Sequence, residues 1–162
     1  TLHANSASSS LTRLLDMEVP LYKLKGSLRG ILAQRLMRKV CPSCSTERPI
    51  NEAEARFTGL KLGTAVRQAT ALTAEEKAQR KQEATLCPRC SGTGYQGRIG
   101  SYELLRFNRN IRDALQDNKT SQHIEDLAVS DGMLTLKAYA VELIRKQLTT
   151  VSELQKISTK EH

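Results

Sequence analysis

The sequence contains no tryptophan, and aromatic residues make up only 4% of its 162 residues. A buried core must therefore consist of aliphatic side chains, which favours helices packed through aliphatic stripes over an aromatic-rich β-sandwich. A chain of this length supports one ordinary domain or two small subdomains. No run of eighteen apolar residues occurs, so we expect no membrane-spanning helix. The start has neither an initiator methionine nor a signal-peptide pattern, and it predicts a segment from within a longer protein.

Positive charge is in excess and is unevenly distributed. The formal net charge is +8, and residues 1–40 contain seven Lys or Arg against two acidic residues. Nucleic-acid-binding proteins more often place aromatic residues among cations that share one face. The excess here falls on segments with almost no aromatic residues, so an anionic ligand or an acidic neighbouring surface explains it at least as well. We expect no specific nucleic-acid partner.

The four cysteines form two pairs of the pattern Cys-Pro-x-Cys. Cys41 and Cys44 form the first pair, Cys87 and Cys90 form the second, and 42 residues separate the pairs. A two-residue gap lets both sulfurs of a pair face one point, so two pairs complete a tetrahedron of sulfur ligands. The pattern predicts one zinc ion. Because no coordination position is left for water, this zinc is predicted to be structural rather than catalytic.

Other uses of the cysteines stay open from the residues alone. Two disulfides would require an oxidising compartment, which the missing secretory signal argues against. A redox pair would need a thioredoxin-like β-α-β context that neither copy shows. Four cysteines also ligate iron–sulfur clusters. The segment 87–94 fits the repeat of J-protein chaperones, but no glycine follows the first pair, so that match covers one repeat only.

Apolar periodicity and capping patterns predict most of the local structure. Leucines at helical spacing predict a helix within 6–18 and a second helix over 21–40 that leads into the first cysteine pair. Capping boxes at Asn51 and Thr73 predict helices between the cysteine pairs. Alternation of apolar and polar residues predicts a hairpin strand over 95–104. Four short helices are predicted in the remainder, at 109–118, 121–130, 135–148 and 151–158, the last capped by Thr150.

Several segments resemble the ATPases of type II secretion and type IV pilus assembly, the general secretion pathway protein E and type IV pilus assembly protein B family. Residues 1–17 resemble the His box of that family, and residues 30–38 resemble its Gln-Arg-Leu helix, which leads into a tetracysteine motif. The family's continuation and ending are similar to residues 94–104, 132–136 and 148–154. The motifs occur in family order, so the sequence is identified as a C-terminal part of such an ATPase. They do not separate the secretion branch from the pilus branch.

The resemblance implies a mainly α fold with a small β and zinc-knuckle subdomain. Residues 1–40 would form the end of a RecA-like α/β ATPase core that contains the His box and the Gln-Arg-Leu helix. Residues 41–105 would form the tetracysteine zinc subdomain, with a helical insert at 51–86 that matches no motif. Residues 106–162 would form a C-terminal helical subdomain.

The resemblance also implies an activity for the intact protein. The family forms hexameric rings at the cytoplasmic face of the bacterial inner membrane, where ATP hydrolysis drives pilin or pseudopilin assembly. It therefore implies a cytoplasmic homohexamer peripheral to that membrane, with inner-membrane platform proteins as partners and ATP and Mg as cofactors. His3 stands where the family has its catalytic histidine, with Thr1, Asn5 and Arg35 near the nucleotide. Imidazole can donate to the charge that develops on a transferring phosphate.

Two of these residues have alternatives that the sequence leaves open. His3 would otherwise be a polar residue at the end of a strand, and Arg35 would otherwise cap a helix C-terminus. The phosphate-binding pattern G-x-x-x-x-G-K-[S/T] does not occur in the chain. We therefore expect this chain alone to be inactive and its parent to hydrolyse ATP. The alternative function is a stand-alone zinc-binding module for nucleic acid or a protein partner, which explains the charge and the cysteines but not the His box.

Overall fold

The structure, a computed structural model, describes residues 4–117 and 119–158. The described residues are 45% helical and 20% strand, which makes the fold α/β. In chain order the elements are α1 (Ala7–Asp16), α2 (Leu21–Ser27), β1 (Gly30–Val40), β2 (Thr46–Pro49), α3 (Glu52–Thr58), β3 (Ala65–Gln68), α4 (Ala74–Gln82), β4 (Tyr95–Arg106), α5 (Arg109–Gln116), α6 (Ser121–Ser130), α7 (Leu136–Arg145) and α8 (Val151–Ser158). Strands β1 and β4 form one two-stranded sheet, and β2 and β3 form another. The β2–β3 pair is antiparallel, with Thr46 opposite Gln68.

The chain divides into two compact units, and each unit is built from two stretches of sequence. Unit 1 consists of residues 1–35 and 102–139, and unit 2 consists of residues 36–101 and 140–162. The points of division lie inside β1 and β4. The three domains predicted from the family resemblance, 1–40, 41–105 and 106–162, are consecutive segments and are defined by motifs rather than by contacts. These boundaries stay predictions.

Unit 1 is organised around an aliphatic core. Ser6 caps α1, because its hydroxyl accepts a hydrogen bond from the backbone N–H of Ser9 at 3.1 Å. Asn108 caps α5 in the same way through the N–H of Ile111, at 3.0 Å. The buried cluster consists of Ala7, Leu11, Leu105, Phe107, Ile111, Ala114, Leu115, Ile124, Ala128 and Met133. Phe107 is its one aromatic member, which agrees with the core expected from the composition.

A buried carboxylate joins two helix starts in unit 1. Glu103, which is only 2% exposed, accepts hydrogen bonds from the backbone N–H of Ala7 at 2.7 Å and of Leu136 at 3.1 Å. These N–H groups open α1 and α7, where the helix dipole is positive and favours a negative side chain. One side chain of β4 thus fixes the starts of two helices.

Unit 2 contains a comparable junction between β1 and α8. Arg38 donates from Nη2 to Glu153 Oε1 at 2.8 Å and from its backbone N–H to Oε2 at 2.9 Å. The guanidinium carbon also lies 3.7 Å from the centre of the Tyr95 ring. Burial raises the pKa of Glu153, but hydrogen bonds from Arg38 and Lys156 outweigh this and lower the pKa to about 2. The carboxylate is therefore ionised at neutral pH and holds α8 against the strand.

The prediction of one helix over 21–40 is wrong beyond Ser27. Residues from Gly30 to Val40 form strand β1, so the Gln-Arg-Leu segment is a strand and not a helix. The leucines of this stretch satisfy helical spacing, yet exposure alternates along the strand, where Leu32 and Leu36 are exposed and Met37 is buried. Pairing with β4, which lies far away in the sequence, favours the strand over the helix. With this strand present, the fold is α/β rather than mainly α.

The other predicted elements are confirmed, with adjustments. Helix α1 lies within the predicted range 6–18, α3 and α4 begin where their caps predict, and α5 to α8 match the four helices expected after residue 105. The insert 51–86 is not only helical, because it contains β3. Strand β4 occurs as predicted but pairs with β1 instead of forming a hairpin. Thr150 does accept from the N–H of Glu153 at 3.4 Å, while the Glu153 carboxylate binds Arg38.

In the part of the chain that the structure describes, no helix is both long and apolar enough to cross a bilayer.

Candidate metal centre

The four cysteines lie in one cluster of unit 2. Their sulfur atoms all lie within 4.8 Å of one another. The Sγ atom of Cys41 is 3.9 Å from that of Cys87, and the Sγ atom of Cys44 is 3.4 Å from that of Cys90. Four sulfurs bound at about 2.3 Å to one tetrahedral zinc lie about 3.8 Å apart, whereas a disulfide bond measures about 2.0 Å. All four cysteines are free thiols, so the cluster fits one shared metal ion better than two disulfides.

The two cysteine pairs are built on similar turns. The carbonyl of Cys41 accepts from the N–H of Ser45 at 3.1 Å, and the carbonyl of Cys87 accepts from the N–H of Ser91 at 2.9 Å. Each turn brings its two sulfurs to the same side of the backbone. Cys41 directly follows β1, and the second pair lies shortly before β4. The pairing of these strands therefore brings together two turns that are far apart in the sequence.

The backbone around Gly94 links the second turn to the rest of the centre. The carbonyl of Gly94 accepts from the N–H of Cys41 at 2.9 Å. Its φ of +75° is unfavourable for other residues, and a Cβ there would lie 2.9 Å from the carbonyl carbon of Thr70. Glycine is thus required by both conformation and space. The Thr70 hydroxyl donates to the carbonyl of Cys44 at 2.6 Å. The segment that packs against Gly94 is thus also joined to the first cysteine turn.

The thiols of the cluster differ in acidity. Burial raises the pKa of Cys44 well above its ordinary value, and hydrogen bonds with the other cysteines add to this effect. Burial also opposes ionisation of Cys90, but hydrogen bonds from the Cys44 thiol and the Gly94 N–H outweigh it and lower the pKa of Cys90 to about 6. One thiolate is therefore favoured at neutral pH. A divalent cation would displace the remaining protons, because thiolates are its ligands.

The centre is closed to substrate. Cys41 and Cys90 are 0% and 6% exposed, and the other two ligands are half-buried. Four sulfur donors fill a tetrahedral shell, which leaves no position for a reacting water. Soft thiolates in this geometry suit zinc or iron. The arrangement is compatible with structural zinc.

Of the residues predicted near a nucleotide, Asn5 and Arg35 are described and belong to unit 1. Thr1 and His3 lie outside the described residues. Nη2 of Arg35 donates to the carbonyl of Ala4 at 3.1 Å and to Oδ1 of Asn5 at 3.3 Å. The structure therefore brings Arg35 and Asn5 together just before α1, and Arg35 contacts this segment rather than a helix C-terminus. Their roles at a nucleotide stay predictions.

Two acidic residues that organise the fold were not singled out from the sequence. Glu103 lies in β4 two residues before Leu105, and strand alternation places both on the buried face. That pattern could have identified Glu103 as a buried acid. Glu153 was interpreted only as part of a helix cap, and its partner Arg38 lies 115 residues away. No local pattern predicts that pair.

Comparisons with known proteins agree across nearly the whole chain. The model of the family described as "Type II/IV secretion system protein" matches residues 1–156. The chain is 33% identical over 161 residues to the type II secretion system protein E of Pectobacterium carotovorum subsp. carotovorum, covering 99% of this chain and 29% of that protein. It is 34% identical over 154 residues to the type IV pilus assembly ATPase PilB of Thermus thermophilus, covering 95% of this chain and 16% of that protein. The chain thus spans less than a third of the length of these relatives.

Proposed function

Because this chain belongs to the type II/IV secretion system protein family, we propose that it is a zinc-binding part of an ATPase that powers type II secretion or type IV pilus assembly. The family match over residues 1–156 carries the proposal. Since the chain covers 29% of a secretion relative and 16% of a pilus relative, we propose the activity for a longer protein that contains it. Similar identity to both kinds of relative leaves both machines as candidates.

For the intact protein we propose a homohexamer in the cytoplasm, peripheral to the bacterial inner membrane and in contact with the platform proteins of the machine. ATP with Mg is its proposed substrate, bound through a phosphate loop elsewhere in that longer protein. The function follows from the family; the cysteine cluster supports the same assignment through the tetracysteine motif. A stand-alone zinc module for nucleic acid or a protein partner would also use the cysteine cluster, but it does not account for the family match over residues 1–156.

Zinc is the proposed metal, held by Cys41, Cys44, Cys87 and Cys90. The ion supplies a structural cross-link between two distant turns and takes no part in hydrolysis. The cysteines fit this role through the spacing of their sulfurs and through N–H donors, such as that of Gly94, that stabilise a thiolate. The cross-link would keep the end of β1 beside the start of β4.

His3 is the proposed catalytic residue of the intact enzyme, with Thr1, Asn5 and Arg35 beside the nucleotide. The hydrogen bond from Arg35 to Asn5 supports a positioning role for Arg35. Positioning and charge stabilisation account for most of phosphoryl-transfer catalysis.

Metal analysis tests the zinc proposal. Elemental analysis of protein purified without chelators is expected to give about one zinc per chain, because four thiolates complete one site. The same protein treated with a chelator and desalted serves as the control. A value near zero in fully reduced protein, or iron in place of zinc, would contradict the proposal.

Steady-state kinetics of the full-length hexamer tests the catalytic assignment. His3→Ala is expected to lower kcat by roughly ten- to a thousand-fold, the range that one positioned donor supplies, with a smaller effect on nucleotide affinity. Hexamer assembly and zinc content should stay unchanged. The 162-residue chain, expected to be inactive with Mg-ATP, gives the background rate.

The matched control is Cys44→Ser, which is expected to damage stability first and turnover only as a consequence. If His3→Ala retains the wild-type kcat, or fails only because the hexamer dissociates, the assignment of His3 is wrong. Turnover by the chain alone, abolished by a substitution within it, would contradict the proposal that the phosphate loop lies elsewhere.

A further inference from the structure

Beside the cysteine cluster, unit 2 has a concave surface lined by cations. This basic pocket has a volume of about 700 Å³. Its charged lining residues are Lys39, Arg67, Arg89, Arg98 and Lys146. They come from β1, β3, the second cysteine turn, β4 and the segment after α7, so the fold gathers into one cavity cations that are distant in the sequence.

The five cations of the basic pocket take part in none of the ion pairs found among the described residues. Ion pairs among the described residues use other cations, which in unit 2 are Arg38, Arg48, Arg145 and Lys156. Glu47 lies opposite Arg67 in the β2–β3 register and accepts from the amide of Gln147 at 2.9 Å, but the two charged side chains form no ion pair with each other. Five cations beside a single carboxylate give the cavity a positive electrostatic potential, which attracts anions.

One arginine of the pocket is held in place by neutral groups. Nε of Arg67 donates to Oε1 of Gln147 at 3.2 Å, and Nη1 donates to the carbonyl of Ser45 at 3.4 Å. The side chain is half-buried, so its orientation is fixed while its charge is not cancelled. The hydroxyl oxygen of Ser45, which also lines the pocket, is buried and has no hydrogen-bond partner within the described residues. Buried hydroxyls are rarely left unpaired, so this oxygen suits a polar ligand.

We propose that the basic pocket binds an acidic peptide segment of a protein partner, a short extended run of Asp and Glu. Three of the five cations are arginines, whose planar fork matches a carboxylate through two parallel hydrogen bonds. The volume lies within the range of pockets that enclose a ligand, and a single inorganic anion fills only a small part of it. A peptide supplies several carboxylates at the spacing of its residues.

The shape and composition of the pocket favour a peptide over two other polyanions. Four of the five cations are exposed and Arg67 is half-buried. A flat membrane surface would meet only the exposed four, whereas a peptide can also reach Arg67 within the concavity. Single-stranded nucleic acid is bound by stacking its bases on aromatic rings. The described lining of the pocket contains no aromatic side chain. This inference goes beyond the proposed ATPase function and does not depend on it.

Fluorescence anisotropy with a defined probe tests the proposal. A fluorescein-labelled hexaglutamate peptide is titrated into the metal-loaded chain, first in wild type and then in the double variant Arg98→Glu, Lys146→Glu. Each reversed cation removes charge-assisted hydrogen bonds, so the affinity is expected to fall by about tenfold or more. The matched control is Arg80→Glu, Lys81→Glu on α4, a helix with no buried residues. It changes the net charge equally and is expected to alter affinity by less than about twofold.

A conservative variant separates recognition from charge. Arg67→Lys keeps the charge but loses the planar fork, and we expect it to weaken peptide binding several-fold while zinc content and melting temperature stay the same. Equal loss of affinity in the pocket variant and the α4 control would overturn the proposal, because net charge alone would then explain binding. The proposal also fails if hexaglutamate does not bind while phosphatidylglycerol vesicles or inorganic pyrophosphate do. No outcome depends on ATP hydrolysis, so failure here leaves the proposed function untouched.

Discussion

Unit 1 and unit 2 are stabilised in different ways. Unit 1 has a cluster of buried apolar residues contributed by α1, the end of β4, α5 and α6, and its one buried acid binds helix N-termini. Unit 2 also buries apolar side chains, among them Met37, Ile144 and Leu154, but it includes two four-residue strands and a helix, α4, with no buried residue. Its distant segments meet at the cysteine cluster and at the Arg38–Glu153 pair. The difference indicates that removing the metal should affect unit 2 far more than unit 1.

The largest effect is expected from removing one metal ligand. Cys87→Ser leaves three sulfurs, and because a structural zinc contributes its binding energy to folding, about 10–16 kcal/mol in small zinc domains, most of the structure around the cysteines should be lost. We expect α1, α5 and α6 to persist and β2, β3 and α8 to unfold. Circular dichroism with and without chelator measures the loss of helicity, and amide hydrogen exchange locates it.

The control for this variant is Ser43→Ala, a change at an exposed position inside the first cysteine turn. It should leave zinc content and melting unchanged. If Cys87→Ser melts like the wild type, and chelator has no effect on either protein, the metal does not stabilise unit 2. If amide protection against hydrogen exchange is lost in both units at once, unit 1 depends on the metal as much as unit 2 does.

An intermediate effect is expected from the core of unit 1. Leu105→Ala removes a side chain that is completely buried, and deletions of this kind cost about 2–5 kcal/mol. Chemical denaturation should show the loss, while zinc stoichiometry stays at the wild-type value because Leu105 belongs to the other unit. Leu104→Ala, a neighbour that is 50% exposed, is the matched control. Loss of zinc in Leu105→Ala would contradict the separation of the two units.

The smallest effect, and the one that depends on pH, is expected at the junction of β1 and α8. Glu153→Gln removes the ionised partner of Arg38 and should cost about 1.5–3 kcal/mol at neutral pH, the range for hydrogen bonds to a charged group. Because folding lowers the pKa of Glu153 to about 2, its stabilisation is fully present above the ordinary glutamate pKa. It is lost as the pH falls towards the lowered value.

The measurement is the difference between wild type and Glu153→Gln in denaturation midpoint, with saturating zinc, at a series of pH values from 7 downwards. The difference should be constant above about pH 5 and shrink below the ordinary glutamate pKa of about 4.3. Metal release at low pH is common to both proteins, so it does not create a difference between them. A difference that grows on acidification would show that the carboxylate is not stabilised by Arg38.

Local sequence features predicted those parts of the molecule that local physics determines. Caps at Asn51 and Thr73 place helix starts correctly because a cap and its helix are neighbours in the chain. The cysteine spacing predicted a shared site because each pair forms its own turn. Strand β1 was mistaken for a helix because pairing with β4, more than fifty residues further along, decides its conformation. The basic pocket cannot be predicted from local sequence for the same reason, since its cations converge only in the folded chain.

The metal centre also changes what breaking the chain would do. Cys44 and Cys87 enclose 42 residues, which include β2, α3, β3 and α4. The proposed zinc would close this segment into a ring, so a protease that cuts once between the two turns would leave both pieces attached to the same metal. The exposed end of α4 near Glu83 is a suitable place for such a cut, or for inserting a foreign loop or a label. The nicked protein should migrate as one species, and a chelator should loosen unit 2 without separating the halves, because unit 1 contains residues from both of them.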